Sequence, residues 1–359
     1  MAMHELMPLS STLIPAKLSP LMKDIDNVIL IKDGHIITQK LTNAFTGVTI
    51  QPFNEADDVV ISKVHQAIDT KKEMALYNKE ALNSSLLIQV PKNKTIKETL
   101  HIFIAQEAHD VVHNTIMYLE QGAELDVFEH LSNETTTSLN VLTEAYCEDN
   151  SRLNVVSVST IDSTSAQTVH RHAYLNAYAR ATYTNANFAD ALTDQSNHIE
   201  LKGAYSEGVA KTIAFTNKAQ EALFKTLVEH LAKETKGYIE HYGVANDQSF
   251  LVFEGIGKIH KNMKRSIARQ SNKGVVLGEK ARLDANPLLL IDEFDVEASH
   301  GAAIGRIDEE QLYYLMSRGL SRKDAERLII NGYLAPLKDV VHEETLMTYI
   351  EALLKTKTA

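Results

Sequence analysis

Cysteine is almost missing from this chain. With one thiol, Cys147, among 359 residues, no internal disulfide can close, which fits a reducing compartment. Cys147 lies at a turn signal, Ala-Tyr-Cys-Glu-Asp-Asn, where the flanking acids raise a thiol pKa, so a passive, partly buried side chain is predicted. Long apolar runs are also lacking. None approaches the ~20 residues of a spanning helix, and the first residues, with His4, Glu5, Pro8 and Pro15, do not have the basic-then-apolar form of a signal peptide. The expectation is a cytoplasmic protein outside the membrane. Positive charge is in short supply too: 36 Lys and Arg against 47 Asp and Glu give a net charge of -11. Without a basic stripe, neither nucleic acid nor an anionic membrane surface is an expected partner. A phosphate-binding loop is missing as well, because Gly255-Ile256-Gly257-Lys258 lacks the spacing of a Walker or dinucleotide motif. Any nucleotide hydrolysis must belong to a partner.

What is present begins weakly. Up to about residue 50, short apolar runs alternate with Pro8, Pro15, Pro20 and the Lys32-Asp33-Gly34 turn, which predicts a loose lead-in with one or two short strands. From Ala56 the pattern turns helical, with Ile61, Val64, Ala67 and Ile68 on one face and a second short helix from Met74 to Leu82. From Leu86 to Gly305 strands dominate. Turn signals marked by Gly122, Asn150, Arg180 and Gly203 recur at intervals of 28, 30 and 23 residues. A repeat of that size suggests a solenoid whose coils stack at the usual strand spacing of ~4.8 Å. An antiparallel β-sandwich also has short strands and turns, and the residues alone leave both open. Residues 218 to 233 are similarly ambiguous: Ala222, Leu223, Leu227 and Leu231 align on a helix, while Phe224 to Val228 equally reads as a strand.

Several histidines are candidate ligands. His170 and His172 are two apart, so on a strand they share a face within reach of one metal, though a solvated strand face explains them equally simply. His230, His241 and His260 stand alone in sequence.

The densest pattern runs from Asp284 to Pro336. Its first half reads as strands, with Leu288 and Leu290 alternating against Leu289 and Ile291, then Phe294 and Val296, and with Gly301 and Gly305 marking tight backbone. Its second half is helical. Asp308 with Gln311, and Ser321 with Asp324, form two N-terminal caps, and Gly319 and Gly332 stand where C-terminal glycines belong. Leu312, Leu315, Met316, Ala325, Leu328 and Ile329 must be buried on the strands or on another protein. Past Pro336, Leu337, Val340, Val341, Leu346, Ile350, Leu353 and Leu354 predict a third helix, with Lys355 and Lys357 suited to its C-terminal dipole.

Taken together, Asn286-Pro287, Phe294-Asp295-Val296, Ser299-His300-Gly301-Ala302, Gly305, Gln311-Leu312-Tyr313-Tyr314-Leu315, Ser317-Arg318-Gly319 and Ala325-Glu326-Arg327-Leu328 resemble the C-terminal signature of the SufB/SufD scaffold family of iron–sulfur cluster assembly. Ser-His-Gly-Ala is similar to the SufD branch, whereas the SufB branch tends to read His-Glu-Ala; a SufB-like subunit is the alternative. The resemblance is clearest over roughly residues 220 to 340. It implies an all-β core, a right-handed parallel β-helix over 86–305, flanked by an N-terminal mixed, partly helical segment at 1–85 and a C-terminal helical domain at 306–359, with 218–233 as strand.

The resemblance further implies a non-catalytic scaffold subunit of a SufB–SufC–SufD type complex, with a SufB-like subunit as partner, or a second copy when isolated. It also implies docking of the C-terminal helices on a SufC-like ABC ATPase. Tyr313, Tyr314 and Arg318 are the residue types enriched at binding hot spots and are the candidates for that contact; the alternative is that both tyrosines are core. One cysteine cannot hold an iron–sulfur cluster, so no cofactor is expected to be bound stably by this chain alone. Transient iron or a cluster would sit at the interface with SufB. There His300 is the candidate metal ligand, since the resembling histidine of SufD lies where a SufB cysteine completes a shared site; capping of the last coil is its plain alternative. Many SufD-like sequences carry a cysteine where this chain has Ala298, which makes the site poorer here. A β-helical enzyme acting on polysaccharide is a further alternative, disfavoured by the acidic net charge.

Overall fold

The computed structural model describes residues 15, 18–56, 60, 82–133, 138–162, 165–337, 341 and 344–357. The helices expected from Ala56 to Leu82 lie almost entirely outside the described residues. Within the described residues the strands are β1 (Val28–Lys32), β2 (His35–Lys40), β3 (Thr49–Gln51), β4 (Ser84–Val90), β5 (Leu100–Gln106), β6 (Val111–Leu119) and β7 (Glu124–Asn133). They continue as β8 (Leu139–Cys147), β9 (Arg152–Ser159), β10 (Ala166–Leu175), β11 (Arg180–Asn187), β12 (Leu192–Leu201) and β13 (Glu207–Thr216). The last six are β14 (Glu221–His230), β15 (Lys236–Ala245), β16 (Phe250–Ile259), β17 (Ile267–Val276), β18 (Arg282–Ile291) and β19 (Glu297–Arg306). The helices are α1 (Ser19–Met22), α2 (Glu309–Ser317), α3 (Arg322–Leu334) and α4 (Glu344–Lys357). No helix among these residues is long and apolar enough to cross a membrane.

Alternation dictates the architecture. In β12 and β14 every second residue is buried, the two-residue period of a strand with one covered face. Consecutive strands do not pair with each other. Odd strands from β5 to β19 stack parallel in one sheet and even strands from β4 to β18 in the other, so each coil contributes one strand to each sheet and the chain is a parallel β-solenoid. The antiparallel sandwich is thereby excluded, and residues 221–230 are strand, not helix.

The repeat is set by register. Arg152, Arg180, Glu207, Lys236, Ile267 and Glu297 are successive ladder partners, so along the odd-strand sheet the repeat is 27 to 31 residues. Turns stack with the strands. Asn150, Tyr178, Tyr205, Glu234 and Arg265 all have φ between 60° and 64°, a left-handed column that L-residues occupy only at a conformational cost. Tyr178 stacks on Tyr205 along it, centroids 4.8 Å apart. Gly203 is required by close approach: a Cβ there would lie 2.0 Å from the amide nitrogen of Ala177 in the coil before.

The interior is mostly small and β-branched, with Ala123, Leu125, Val155, Ala181, Ala210 and Ile239 in one continuous core. Cys147 is the last residue of β8 and belongs to that core. It is therefore fully buried and not at a turn. Burial pushes its thiol up to about 12, with the Glu148 charge a lesser contribution in the same direction, so desolvation, more than flanking acids, keeps it inert.

The two ends of the stack differ. At the N-terminal end β2 pairs antiparallel with β1 and β3 antiparallel with β4, while β1 joins the parallel ladder through β5, so the lead-in is part of the stack and not a loose tail. At the other end β19 and β18 are the last strands of their sheets, and β19 is exposed along nearly its whole length. The outer face of the odd-strand sheet is covered by helices, with Phe103, Phe128, Val156, Phe215 and Val244 packing with Ile330 of α3 and Leu346, Ile350 and Leu354 of α4. Lys357 is more than a dipole complement: its ammonium pairs with Asp190 and is largely buried there.

Three readings of the C-terminal stretch are corrected. Phe294 and Val296 lie in a bend between β18 and β19, and Phe294 is 103% exposed, because this loop turns outside the last coil. Gly301 and Gly305 do not mark tight backbone, since a Cβ at either would meet nothing within 4 Å. Gly332 does not end its helix, which runs on to Leu334 and a short 3-10 turn at Ala335–Leu337.

Candidate functional site

The open end of the solenoid places His300. It is in register with Gln270, which follows Ile239 and Ala210 in the ladder. Ala210 and Ile239 are core residues, and the Gln270 side-chain amide crosses the interior to donate to the Leu288 carbonyl at 2.7 Å. His300 thus occupies the next position of an inward-facing column, exposed because no further coil among the described residues covers it. It lies within β19 and does not follow a strand ending at Val296. Ala298 stands on the same face two residues earlier, in register with Ala268, and offers no ligand atom. A single imidazole is one ligand of the three or four that a transition metal takes, so a site at His300 needs donors from another chain. Among the described residues β18 and β19 are the last strands of their sheets, and the same last coil carries exposed Leu288 and Leu290 on the outer face of β18 and exposed Phe294 in the loop to β19, the combination that an uncovered sheet edge uses to recruit further structure.

The second predicted group sits on α2. Asp308 caps this helix by accepting from the Glu310 amide at 2.8 Å, a bond to Glu310 and not the reciprocal box expected with Gln311. Gly319, at φ +98°, ends it with its amide on the Met316 carbonyl at 3.0 Å. Only Leu312 of α2 is fully buried, while Tyr313 and Tyr314 are 76% and 56% exposed. The alternative that the tyrosines are core is excluded. The Arg318 guanidinium lies 5.2 Å from the centre of the Tyr314 ring, within cation–π range. α2 is fastened to α3 by Arg322, which donates to Glu309 at 2.8 and 3.2 Å. α3 packs on β15 and β17, and beside that contact lies a cleft of ≈ 840 Å³ lined by Phe215 and Val276 of the sheet and by Glu309 and Arg322 of the helices. Met316 and Leu328 stay exposed, so of the two expected burial surfaces the strands do not cover them.

The remaining histidines separate into two groups. His230 and His241 are buried inside the coil, bonded to Thr235 and Asn272 respectively at 2.7 and 2.8 Å, and burial lowers both to about 4. They are structural. His170 and His172 share the outer face of β10 but have different partners: His170 bonds Ser196 and His172 bonds Glu200. The neighbour of His172 is His198, one coil on. Sequence spacing missed that pairing because it lies at the coil repeat and not at two residues. His260 meets Glu229 at 2.6 Å.

Residues 102–333 match the family model described as SUF system FeS cluster assembly, SufBD core domain. The chain is 32% identical over 296 residues to the iron–sulfur cluster assembly protein SufD of Bacillus subtilis, covering 81% of this chain and 68% of that protein. It is 27% identical over 240 residues to SufD of Escherichia coli, covering 65% and 56%. It is 29% identical over 289 residues to an iron–sulfur cluster assembly SufBD family protein of Pyrococcus horikoshii, covering 75% and 61%. The chain therefore spans less than two thirds of the length of the last two relatives.

Proposed function

Because this chain belongs to the SufB/SufD family of iron–sulfur cluster assembly proteins, and within it is most like SufD, we propose that it is a non-catalytic scaffold subunit of a SufB–SufC–SufD type complex in the cytoplasm. The observation that carries this reading is the asymmetry of the solenoid. One end is closed by antiparallel strands, while β18 and β19 leave the other open with apolar side chains around it. A SufB-like subunit with a matching last coil supplies the missing pairing, and in its absence a second copy of this chain takes that place. His300 then lies at the junction, where transient iron or a growing cluster gains further ligands from the partner.

The second contact in this proposal is α2. Tyr313, Tyr314 and Arg318 project from a capped helix fastened to α3, and aromatic and arginine side chains on a rigid element are the usual anchors of a protein interface. A SufC-like ATPase docked there can transmit its nucleotide-driven motion to the open end, because β19 leads into α2 through two residues, Ile307 and Asp308.

The test is co-expression with SufB-like and SufC-like subunits, followed by affinity capture and size-exclusion chromatography. The wild-type chain is expected to elute in a complex with both. Replacing Leu288 and Leu290 by Asp at the open end is expected to release the SufB-like subunit while the solenoid stays folded by circular dichroism. Elution of the wild-type chain as a monomer beside its partners refutes the proposal.

A further inference from the structure

The outer face of the even-strand sheet carries a second cluster of ligating side chains, in the middle of the solenoid and independent of the open end. β10 and β12 are in register, which sets His172 beside His198 and Tyr174 beside Glu200. The two imidazole rings are 4.2 Å apart between centres. His172 Nε2 and Glu200 Oε1 are 2.8 Å apart. One donor atom from each of His172, His198 and Glu200 lies within 4.8 Å of the other two.

The surroundings are built in the way metal sites are. Tyr174 stacks on His172 at 4.2 Å, fixing the ring plane. One coil further, Glu229 pairs with Glu200 in the ladder and its Oε2 is 3.3 Å from His198 Nε2. The other oxygen of Glu229 accepts from Lys258 at 2.7 Å and meets His260 at 2.6 Å. On the opposite side Glu144 is in register with His172 and fully buried. Glu200 and Glu229 thus meet the two imidazoles, while Glu144 accepts from Tyr146 and Asn114; Lys202, over the Tyr174 ring, and Lys258 are the lysines of the cluster. Hydrogen bonds and charges from His198, Lys258 and His260 hold Glu229 well below the usual carboxylate range although partial burial opposes it. Burial likewise works against ionisation of Glu200, but the His172 hydrogen bond and the neighbouring cations keep its carboxyl below the ordinary value.

We propose that His172, His198 and Glu200 form a binding site for one divalent transition-metal ion, Zn²⁺ or Fe²⁺. Two nitrogens and one oxygen match the borderline donors that these ions prefer, and the set lacks the all-oxygen character of a Mg²⁺ or Ca²⁺ site. In a tetrahedral site with bonds of about 2.0 to 2.2 Å, ligand atoms are roughly 3.3 Å apart. The His172–Glu200 separation is 2.8 Å and the others are within 4.8 Å, so side-chain rotation within the fixed ladders suffices. The ion takes the place of the proton now between His172 Nε2 and Glu200, and a fourth position remains for water or an exchangeable ligand. Glu229 supports His198 in the manner of a carboxylate that orients a ligating imidazole. Cys147, on the inner side of the neighbouring strand β8, cannot reach the cluster, so the site holds a mononuclear ion and not an iron–sulfur cluster.

The test uses the full chain, stripped with EDTA and titrated with Zn²⁺ or, without oxygen, Fe²⁺, with Co²⁺ as the absorbing reporter of coordination. One equivalent of metal per chain is expected. Glu200→Gln and His198→Ala each lower affinity by more than the roughly 10–100-fold that removing a supporting partner costs, while Glu229→Gln falls within that range. Each variant is checked by circular dichroism, and Glu200→Gln, nearly isosteric, keeps the test decisive if a histidine variant fails to fold. Zn²⁺ is expected to bind more tightly than Fe²⁺, as the general order of divalent affinities requires. Failure of the wild-type chain to retain any of the three metals, or wild-type affinity in both Glu200→Gln and His198→Ala, overturns the proposal.

Discussion

The guanidinium of Arg171 pairs with the carboxylate of Glu129 inside the solenoid, and both side chains are 1% exposed. Ser157 bridges them, donating to Glu129 and accepting from Arg171, each at 2.7 Å. Two charges taken out of water are costly unless each satisfies the other. Arg171→Leu or Glu129→Leu alone strands one buried charge and is expected to cost about 3–5 kcal/mol, whereas the double replacement costs far less than the two added together. Urea denaturation of the single and double variants checks this. Additive losses would show that the pair is not coupled.

Acid sensitivity follows from buried imidazoles. Desolvation lowers His113, His230 and His241 to about 4 and His130 to about 3. These groups stay neutral in the fold but take up protons near pH 6.5 when unfolded, so their contribution is complete above that pH and is lost as pH falls toward their folded values. For each group near 4, the difference from 6.5 amounts to roughly 3 kcal/mol at pH 4, and four such terms rival a whole domain's stability of about 5–15 kcal/mol. The melting temperature is expected to fall steeply between pH 6.5 and 4, with a shallower slope in His241→Asn. A flat profile over that window contradicts the assignment.

Strand character and stacking were legible in the sequence because alternation and turn signals are local. The exact repeat was not. Gly122 and Asn150 occupy the left-handed turn column, but its next members are Tyr178, Tyr205, Glu234 and Arg265, residue types that carry no turn signal; Arg180 and Gly203 lie two residues to either side of the column. That offset produced the uneven intervals of 30 and 23. Without register, neither the column that ends in His300 nor the neighbour relation of His172 and His198 can be read, since both depend on coils 26 to 31 residues long. Phe294 misled because an apolar residue in an alternating stretch looks like strand, whereas it is an exposed loop tip at the end of the stack.

The exposed face of α2 separates binding from stability. Tyr314→Ala and Arg318→Ala remove exposed side chains that lie against each other, so the melting temperature should change by no more than the equivalent of about 0.5 kcal/mol, as at other surface positions. Binding to a SufC-like ATPase is expected to weaken by about 2 kcal/mol per hot-spot residue, near thirtyfold in Kd. Calorimetric titration measures it, and unaltered affinity in both variants would move the docking surface elsewhere.

His300 gives the sharpest separation between a structural and a metal-related role. It is exposed on the last inward-facing column of an uncapped coil, so His300→Ala leaves no buried partner unsatisfied and should not shift the melting temperature of the isolated chain. If the imidazole only caps the coil, its loss would loosen β19, visible as faster amide exchange from Glu297 to Arg306, with the iron content of the complex unchanged. If it is a ligand shared with a SufB-like subunit, assembly and exchange stay normal while iron or cluster content of the purified complex falls. We expect the second outcome. A complex of His300→Ala that carries normal iron and matures target proteins at the wild-type rate would remove this residue from the site. Ala298→Cys provides the converse test: it places a thiolate donor two residues away on the same face, and an increase in retained iron that depends on His300 would show that the column is aimed at the metal.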